Sequence, residues 1–385
     1  MTTLASAAPA AGFPTIGYQE LLRRVQHGNP MNRVPLVGSM ELTYRCNLAC
    51  THCWVNLPTG DRAARARELT YAELQRITDE IVAADGLYML LTGGEVFVRP
   101  DFFDVYRYMK RQGLLMIIFT NGTTVTERVA DELAEYPPNR VEISLYGVTP
   151  KTYEAMTRVD GLRRCLRGIE LLLSRGIKLR LKSVATTTNY DEFLAMRDFV
   201  RREFDLPFHY DPNINYRKVE GRSGSEPATV RVPPAKIVEL DRQMDGPEEN
   251  GKIYEGNLRV TSEYLFTCGA GLDTFHVDPY GRLSSCMMVP SITYDLRQGS
   301  FKEGWASLFE RVVQRKKSAS RRCDSCAIAA ACDTCPGWSI LEHGEGVLEK
   351  PVDYLCEINH RRAEAFGPPG LIPTITLKGA PHGRE

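Results

Sequence analysis

The stretch Cys46-Asn47-Leu48-Ala49-Cys50-Thr51-His52-Cys53 follows an apolar segment, residues 37–43, that is typical of a buried β-strand. Its cysteines have the spacing CxxxCxxC. A [4Fe–4S] cluster normally takes four cysteine ligands, so three thiolates in one loop would leave one iron open to a ligand other than protein. The alternatives for such a stretch are a zinc loop and three unrelated buried cysteines.

Composition and charge argue against several classes of protein. The chain has 385 residues, with 48 Lys+Arg and 48 Asp+Glu, so its formal net charge is zero. This balance does not favour a nucleic-acid groove or an anionic membrane surface, and no apolar run is long enough to span a membrane. Residues 1–15 lack the basic start and long apolar centre of a signal peptide. We expect no nucleic-acid partner, no membrane partner and a cytoplasmic location.

The cysteines fall into tight sets. There are eleven of them, three in the first loop, seven beyond residue 264, and Cys165 between. In a chain without a secretion signal, such sets indicate metal sites rather than disulfides. Cys165 lies at helical spacing among leucines, so we predict that it packs in the core.

The remaining pattern predicts an α/β fold in which strands and helices alternate. Apolar runs such as residues 114–119 suit parallel strands that are buried on both faces. Six βα units of this kind form a partial (β/α)6 TIM-like barrel rather than a closed eight-fold one. The predicted strands are residues 37–43, 87–92, 115–120, 140–145, 178–185 and 207–211. The predicted helices are residues 70–84, 101–112, 126–135, 149–157, 162–175, 190–203 and 233–243.

Three motifs lie at predicted strand ends, where parallel-stranded folds place their chemistry. Thr92-Gly93-Gly94-Glu95 closes the second strand. Its glycines allow the backbone to approach a ligand closely, and its carboxylate can accept the amino group of an amino acid. Asn121 follows the third strand and Ser144 the fourth. The alternative reading of the Gly-Gly-Glu motif and of the Asn121 motif is an ordinary turn.

These motifs together resemble the radical S-adenosylmethionine (radical SAM) superfamily. The resemblance implies that Cys46, Cys50 and Cys53 hold a [4Fe–4S] cluster whose open iron is chelated by SAM, and that one electron then cleaves SAM to a 5′-deoxyadenosyl radical. It further implies a set of SAM-binding residues: Gly93, Gly94, Glu95, Asn121 and Ser144, with Arg158 and Lys182 as candidate partners of the SAM carboxylate. This chain has Val96 where family members usually have Pro, and Tyr146 where they have Asp.

The C-terminal cysteines are similar to those of the SPASM domain, which binds auxiliary iron–sulfur clusters. Two zinc ribbons are the alternative, because these also use CxxC pairs. One departure from the family is the gap of two residues between Cys332 and Cys335. The family pattern implies an outer cluster on Cys323, Cys326, Cys332 and Cys356. It implies an inner cluster on Cys268, Cys286 and Cys335, with no fourth cysteine. His276 is expected to be part of a hairpin rather than a ligand.

The predicted organisation has five parts. Residues 1–36 form a partly loose lead-in, 37–211 the radical SAM partial barrel, 212–263 a linker or bridging region, 264–360 a small cysteine-rich SPASM domain with two auxiliary clusters, and 361–385 a loose tail. With only 36 residues before the first strand, a peptide substrate would need direct binding or a separate peptide-recognition protein.

The resemblance implies an enzyme that abstracts hydrogen from its substrate, and the foremost hypothesis is oxidative modification or cross-linking of a ribosomally made peptide. The second hypothesis is a dehydrogenase or epimerase of a small molecule, such as a sugar or antibiotic intermediate. A third, different class is a non-catalytic iron–sulfur or zinc-ribbon protein. An enzyme of this kind needs an electron donor such as flavodoxin or ferredoxin. No residue is assigned as the catalytic acid or base.

Overall fold

The computed structural model describes residues 21, 24, 25, 33–55, 57–215, 227–256, 262–318, 321–329, 331–332 and 335–367. Most of the predicted lead-in and all of the tail after residue 367 lie outside these residues.

A mixed nine-stranded sheet organises the molecule, with the strand order β11-β10-β9-β1-β4-β5-β6-β7-β8, and β2 pairs only with β3. Strand β1 pairs in parallel with both β4 and β9. The strands are β1 Val37–Thr43, β2 Arg45–Cys46, β3 Leu57–Pro58, β4 Tyr88–Gly93, β5 Leu115–Thr120, β6 Arg140–Ser144, β7 Leu179–Val184, β8 Phe208–Asp211, β9 Thr274–Val277, β10 Arg282–Ser284 and β11 Thr293–Asp295.

Helices connect the parallel strands. They are α1 Arg62–Arg67, α2 Tyr71–Ala83, α3 Phe102–Arg111, α4 Glu127–Glu135, α5 Pro150–Thr157, α6 Leu162–Ser174, α7 Phe193–Phe204, α8 Pro234–Met244, α9 Gly246–Gly256, α10 Phe301–Leu308, α11 Pro336–His343 and α12 Asp353–Phe366. Short 3₁₀ turns cover Val96–Val98, Tyr190–Glu192, Pro227–Val230 and Arg322–Ser325, and Phe309–Val313 is a π-turn. None of the described helices is both long and apolar enough to cross a bilayer.

The predicted partial barrel is confirmed. Each of the six predicted strands is present, with its ends shifted by at most one residue. Successive side chains of each strand point to opposite faces of the sheet. Val141 and Ile143 of β6 are buried in the core together with Ile169 and Leu172 of α6. The intervening residues therefore lie on the opposite side of the sheet, which we call the inner face.

The C-terminal region extends the barrel sheet. Strand β9 lies beside β1 in parallel register, and β10 and β11 continue the sheet in antiparallel order. Gly38 of β1 accommodates this packing, because a Cβ on it would lie 2.3 Å from the ring of Phe275. Phe275 and Phe301 belong to the same core cluster as the barrel residues. The sheet therefore passes without a break from the predicted barrel into the predicted C-terminal domain.

Two helical segments differ from the sequence-based expectation. The region predicted as a linker contains the expected helix, α8, and a second one, α9, that was not predicted. Residues 361–366, expected to belong to a loose tail, instead complete helix α12. Ile237 and Leu240 of α8 and Ile358 of α12 share a core cluster. The packing of α8 against α12 joins segments that are far apart in the chain. A local sequence pattern therefore does not reveal it.

Candidate active site

The predicted motifs converge at one edge of the sheet. The cysteine loop follows β1, Gly93-Gly94-Glu95 ends β4, Asn121 follows β5 and Ser144 ends β6. These four strands are neighbours and parallel, so their carboxyl ends lie side by side.

The thiols of the cysteine loop lie close enough to influence one another. Burial, together with the nearby Glu95 and Cys53, raises the pKa of Cys46 to about 12. Burial, and then Cys53 and Cys46, also raises the pKa of Cys50 well above its usual range. Several acidic groups crowded in a buried place are stabilised as anions only by a positive centre. The donor set therefore fits a thiolate-bound cluster.

The described residues do not offer a compact site for a single metal ion. Within them, no three His, Cys, Asp or Glu side chains stand together as ligands of one ion. A [4Fe–4S] cluster makes a different demand, because each thiolate binds a separate iron.

The loop is held by backbone contacts with the end of α5. The amide of Ala49 donates to the carbonyl of Thr157 at 3.0 Å, and the amide of Thr51 donates to that of Met156 at 2.9 Å. From the other side, the side-chain amide of Asn121 donates to Asn47 Oδ1 at 2.9 Å. Asn121 thus orients the residue next to Cys46, which is a positioning role that its predicted contact with SAM does not require.

A buried ion pair supports the start of the loop, and sequence reasoning missed it. Arg45 Nε and Nη2 donate to the Glu68 carboxylate at 2.8 and 3.0 Å. The hydroxyl of Thr43 donates to the same carboxylate. The side chains of Arg45 and Glu68 are only 4% and 6% exposed. The pair is separated by 23 residues, so no local pattern announces it.

The two glycines of the Gly-Gly-Glu motif serve the packing of the protein itself. A Cβ on Gly93 would lie 2.2 Å from the carbonyl oxygen of Thr43, and one on Gly94 would lie 2.3 Å from that of Arg45. Gly93 also has φ of +131°, a conformation that L side chains rarely adopt. The glycines thus allow β4 to lie directly against the beginning of the cysteine loop.

Glu95 is a fully buried carboxylate with fixed orientation. It accepts hydrogen bonds from the Thr120 hydroxyl at 2.8 Å and from the backbone N–H of Asn121 at 2.8 Å. Burial raises its pKa, and these hydrogen bonds oppose the rise. No Arg or Lys of the described part of the chain forms an ion pair with it. A ligand ammonium group would supply the missing positive charge, so the residue fits the amino group of SAM.

The remaining predicted SAM contacts have different surroundings. Ser144 lies beside Lys182 in the β6–β7 register. Lys182 Nζ donates to Glu142 at 3.0 Å. Arg158 is exposed and caps α5 in the left-handed conformation, one residue after Thr157. Tyr146, which stands where the family has Asp, packs against the His52 ring at 4.8 Å between centroids. Their contacts with SAM stay predictions.

The C-terminal cysteines form two groups. Burial and the thiols of Cys268 and Cys286 raise the pKa of Cys335 to about 11. Burial and the thiols of Cys332 and Cys323 raise that of Cys356 to about 11. These are the members that the resemblance assigns to the inner and the outer cluster, and their role as ligands stays a prediction.

Two polar residues near the outer group were not predicted. His360 Nε2 lies 3.6 Å from the sulfur of Cys326, and the Asn359 amide donates to the sulfur of Cys332 at 3.4 Å. Both belong to α12, one turn after Cys356, and that helical spacing is the signal that could have found them. They place hydrogen-bonding groups on the outer cysteines.

Within the described residues, the contacts of Cys165 and His276 are with groups other than the clustered cysteines. Cys165 is fully buried in α6 and 3.3 Å from the position of a Cβ on Gly122. His276 is part of strand β9, on the inner face, between Ser39 at 2.9 Å and Glu41 at 3.1 Å. His276 therefore links β9 to β1 through polar contacts.

Comparisons with known proteins agree with this site. Residues 40–200 match the family model described as the radical SAM superfamily. An AdoMet-dependent heme synthase of Methanosarcina barkeri is 23% identical over 346 residues, which cover 83% of this chain and 97% of the relative. The mycofactocin maturase MftC of Mycobacterium ulcerans is 26% identical over 348 residues, which cover 83% of this chain and 86% of the relative.

The fold is shared with Streptococcus suis SuiB. Its crystal structure with bound S-adenosylmethionine aligns with a TM-score of 0.63 at 16% identity and covers 86% of this chain and 81% of SuiB. Its complex with the precursor peptide SuiA aligns with a TM-score of 0.62 at 17% identity, over 86% of this chain and 79% of that one. The matched family model, the relatives and the cysteine pattern lead to one conclusion: the chain contains a radical SAM domain, at residues 40–200, and is an enzyme.

Proposed function

We propose that this radical SAM enzyme oxidatively modifies a ribosomally made peptide. The main observation in support is that the three loop thiols and the buried Glu95 lie at the same edge of the barrel. The similarity to a mycofactocin maturase over 83% of the chain supports a maturation reaction. The fold shared with SuiB, which was crystallised with a precursor peptide, supports a peptide as the substrate.

The family implies a [4Fe–4S] cluster and SAM, and when bound these supply the 5′-deoxyadenosyl radical that abstracts a hydrogen atom. The chain's own residues bind and orient the two groups. Cys46, Cys50 and Cys53 would hold the cluster, and Asn121 fixes the loop beside Cys46 through Asn47. Glu95 would accept the amino group of SAM.

Two auxiliary iron–sulfur clusters are part of the proposal. The inner one would be held by Cys268, Cys286 and Cys335. The outer one would be held by Cys323, Cys326, Cys332 and Cys356. Support comes from the pKa of Cys335 in the one group and of Cys356 in the other, which burial and the neighbouring thiols raise.

We further expect three features of the cellular setting. A small electron donor such as flavodoxin or ferredoxin would deliver the reducing electron. A separate peptide-recognition protein would assist substrate binding unless the chain binds its peptide directly. The cytoplasm is the expected location, since exposed iron–sulfur sites and free thiols persist in a reducing compartment.

A second candidate function is the oxidation or epimerisation of a small molecule. The observation that favours it is the similarity to an AdoMet-dependent heme synthase, which extends over 97% of that relative. The two candidates share the radical chemistry and differ in the substrate.

The first test counts iron and measures SAM cleavage after anaerobic reconstitution. Three clusters correspond to about twelve irons per chain. Replacement of Cys46, Cys50 and Cys53 by Ala should remove about four irons and abolish formation of 5′-deoxyadenosine from SAM. Cys165→Ala is the matched control, because this thiol is buried in a helix outside the three groups. A wild-type protein that holds zinc, or that does not cleave SAM, would refute the proposal.

The second test identifies the reaction. Precursor peptides and small molecules encoded or made by neighbouring genes are incubated with the enzyme, SAM and dithionite in deuterated water. An oxidised product loses two hydrogens for each 5′-deoxyadenosine formed. A product of unchanged formula with one deuterium on carbon would contradict oxidation and indicate epimerisation.

A further inference from the structure

A cluster of cations lies on the inner face of β6 and β7, around one carboxylate. Arg140 Nε and Lys182 Nζ contact the two oxygens of Glu142 at 2.6 and 3.0 Å. Arg180 Nη1 lies 3.6 Å from the same carboxylate. The core-facing neighbours Val141 and Leu181 are fully buried, so the cluster occupies the other side of the sheet.

The carboxylate is enclosed, whereas the cations remain accessible. The side chain of Glu142 is 6% exposed, but those of Arg140, Arg180 and Lys182 are 34%, 40% and 25% exposed. Arg180 is too far from Glu142 for a hydrogen bond. Within the described part of the chain, its guanidinium makes no hydrogen bond to any other group. Its donors are therefore available to a ligand.

Lys182 is also incompletely satisfied. It has three N–H donors, one of which goes to Glu142. The ring of Phe119 covers another side, with its centroid 2.9 Å from Nζ. Burial lowers the pKa of Lys182 to about 8, although Glu142 opposes this change. The ammonium group thus lacks part of the negative charge that would stabilise it.

The charges around Lys182 do not balance. Three cations face Glu142, and the only further carboxylate found to act on Lys182 within the described residues is Asp211 of β8. His209 lies beside Lys182, and burial and Arg180 lower its pKa, so that it is neutral at pH 7. Asp245 acts on His209 but is not among the groups that act on Lys182. Three cations thus share the one carboxylate that they contact, in a partly enclosed place where charge attraction is strong.

The position of this cluster connects it to the active site. Lys182 pairs in register with Ser144, the last residue of β6, at the edge where Glu95 and Asn121 lie. Arg180 lies two residues deeper, which is about 7 Å along a strand. A group bound by these cations would therefore lie inside the barrel, below the SAM-binding edge.

We propose that Arg180 and Lys182 bind a carboxylate of the substrate. This inference rests on the proposed function, and it specifies the class of substrate: a peptide segment or small molecule that carries a carboxylate close to the carbon from which hydrogen is taken. The guanidinium fork and the ammonium group together can hold both carboxylate oxygens. The same residues would reject an uncharged analogue, because their charges would then be left without a partner.

The test measures binding of glutarate to the reconstituted, SAM-loaded enzyme by saturation-transfer NMR. Glutaramide, which has the same shape without charge, is the matched probe. We expect a signal for glutarate and none for glutaramide. Arg180→Gln should weaken glutarate binding about tenfold, as expected for a lost charge-assisted hydrogen bond. Arg202→Gln, which removes an exposed cation on α7, should change nothing.

A second variant separates a binding site from a structural ion network. Glu142→Gln removes the competing carboxylate, so it should strengthen glutarate binding, whereas loss of a merely structural network would weaken or not change it. Equal signals from both probes, or no glutarate signal, would overturn the proposal. So would a glutarate signal that is present with the reconstituted enzyme before SAM is added and disappears when SAM is added, which would assign the cations to the SAM carboxylate. Wild-type SAM cleavage, measured separately, reports on the proposed function alone.

Discussion

Glu95 shows how a single buried residue can be prepared for a ligand. Its carboxylate ties the end of β4 to the end of β5, through Thr120 and Asn121. A charge in such a place is unfavourable unless it meets an opposite charge. The proposed binding of SAM and the local structure therefore depend on the same side chain.

Glu95→Gln should weaken SAM binding by about tenfold or more, because the ligand ammonium group loses its anionic partner. Calorimetric titration of the reconstituted protein with SAM measures the change. Thr120→Val is the control, since it removes one donor to Glu95 but keeps the charge. Equal affinity of the wild type and of Glu95→Gln would show that SAM binds without this carboxylate.

Lys182 gives the inner-face cluster a predicted dependence on pH. Its pKa of about 8 means that the ammonium group loses its proton as the pH rises from 7 to 9. Glu142 stays ionised in this range because its pKa is lowered: burial raises the pKa, but Lys182 and Arg140 outweigh burial. Glutarate binding should therefore weaken as the pH rises through about 8.

Lys182→Arg should remove this pH dependence, because a guanidinium remains charged at pH 9. The measurement is the glutarate saturation-transfer signal at pH 7 and pH 9 for both proteins. A parallel loss in the wild type and the variant would assign the titration to another group.

At the scale of elements, the cysteine loop has little regular structure of its own and takes its shape from its neighbours. Helix α5 fixes its backbone, Asn121 fixes its first half, and the Arg45–Glu68 pair fixes its start. Arg99 adds a second cation near Glu68, at 3.9 Å. A loop that holds a cluster needs such external support, because its ligands must stand in place before the metal binds.

Glu68→Ala should lower the free energy of unfolding by about 3 kcal/mol or more, since it leaves the buried Arg45 without its partner. Urea titration under anaerobic conditions measures this loss, and iron analysis should show fewer irons retained. Glu203→Ala is the matched control: its pair with Arg202 is exposed, and such pairs contribute within about 1 kcal/mol. Similar losses in both variants would contradict a special role for the buried pair.

At the scale of the whole molecule, the C-terminal region continues the barrel sheet and shares its core. Strand β9 covers the edge of β1, and Phe275, Phe301 and Val277 share a core with the barrel helices. An uncovered β1 would expose unpaired backbone groups and apolar side chains. The cysteine loop begins directly after this strand.

A chain that ends at residue 256 should aggregate or fail to bind SAM, because β1 becomes an edge strand. A chain that ends at residue 367 keeps all elements described above, so it should stay soluble and bind SAM. Size-exclusion chromatography and SAM titration compare the two. A monomeric shorter chain that binds SAM normally would show that the barrel is independent of the C-terminal strands.

The sequence by itself was sufficient for the features that depend on local patterns. Apolar runs predicted the six barrel strands to within one residue, since strand formation follows from neighbours along the chain. The capping signal at Thr70 likewise predicted α2. The cysteine loop and the Gly-Gly-Glu motif identified the family because their residues are contiguous.

Only the tertiary structure decided which distant residues meet. His276 lies 235 residues from its partner Glu41, and Arg45 lies 23 residues from Glu68. Lys182, expected to face SAM, has Glu142 as its partner, 40 residues away. Such pairs leave no periodic signal, because their contact follows from how the strands align and how the helices cover them. Three features depend on such distant contacts: the support of the cysteine loop, the pairing of β9 with β1, and the cluster of cations around Glu142 inside the barrel.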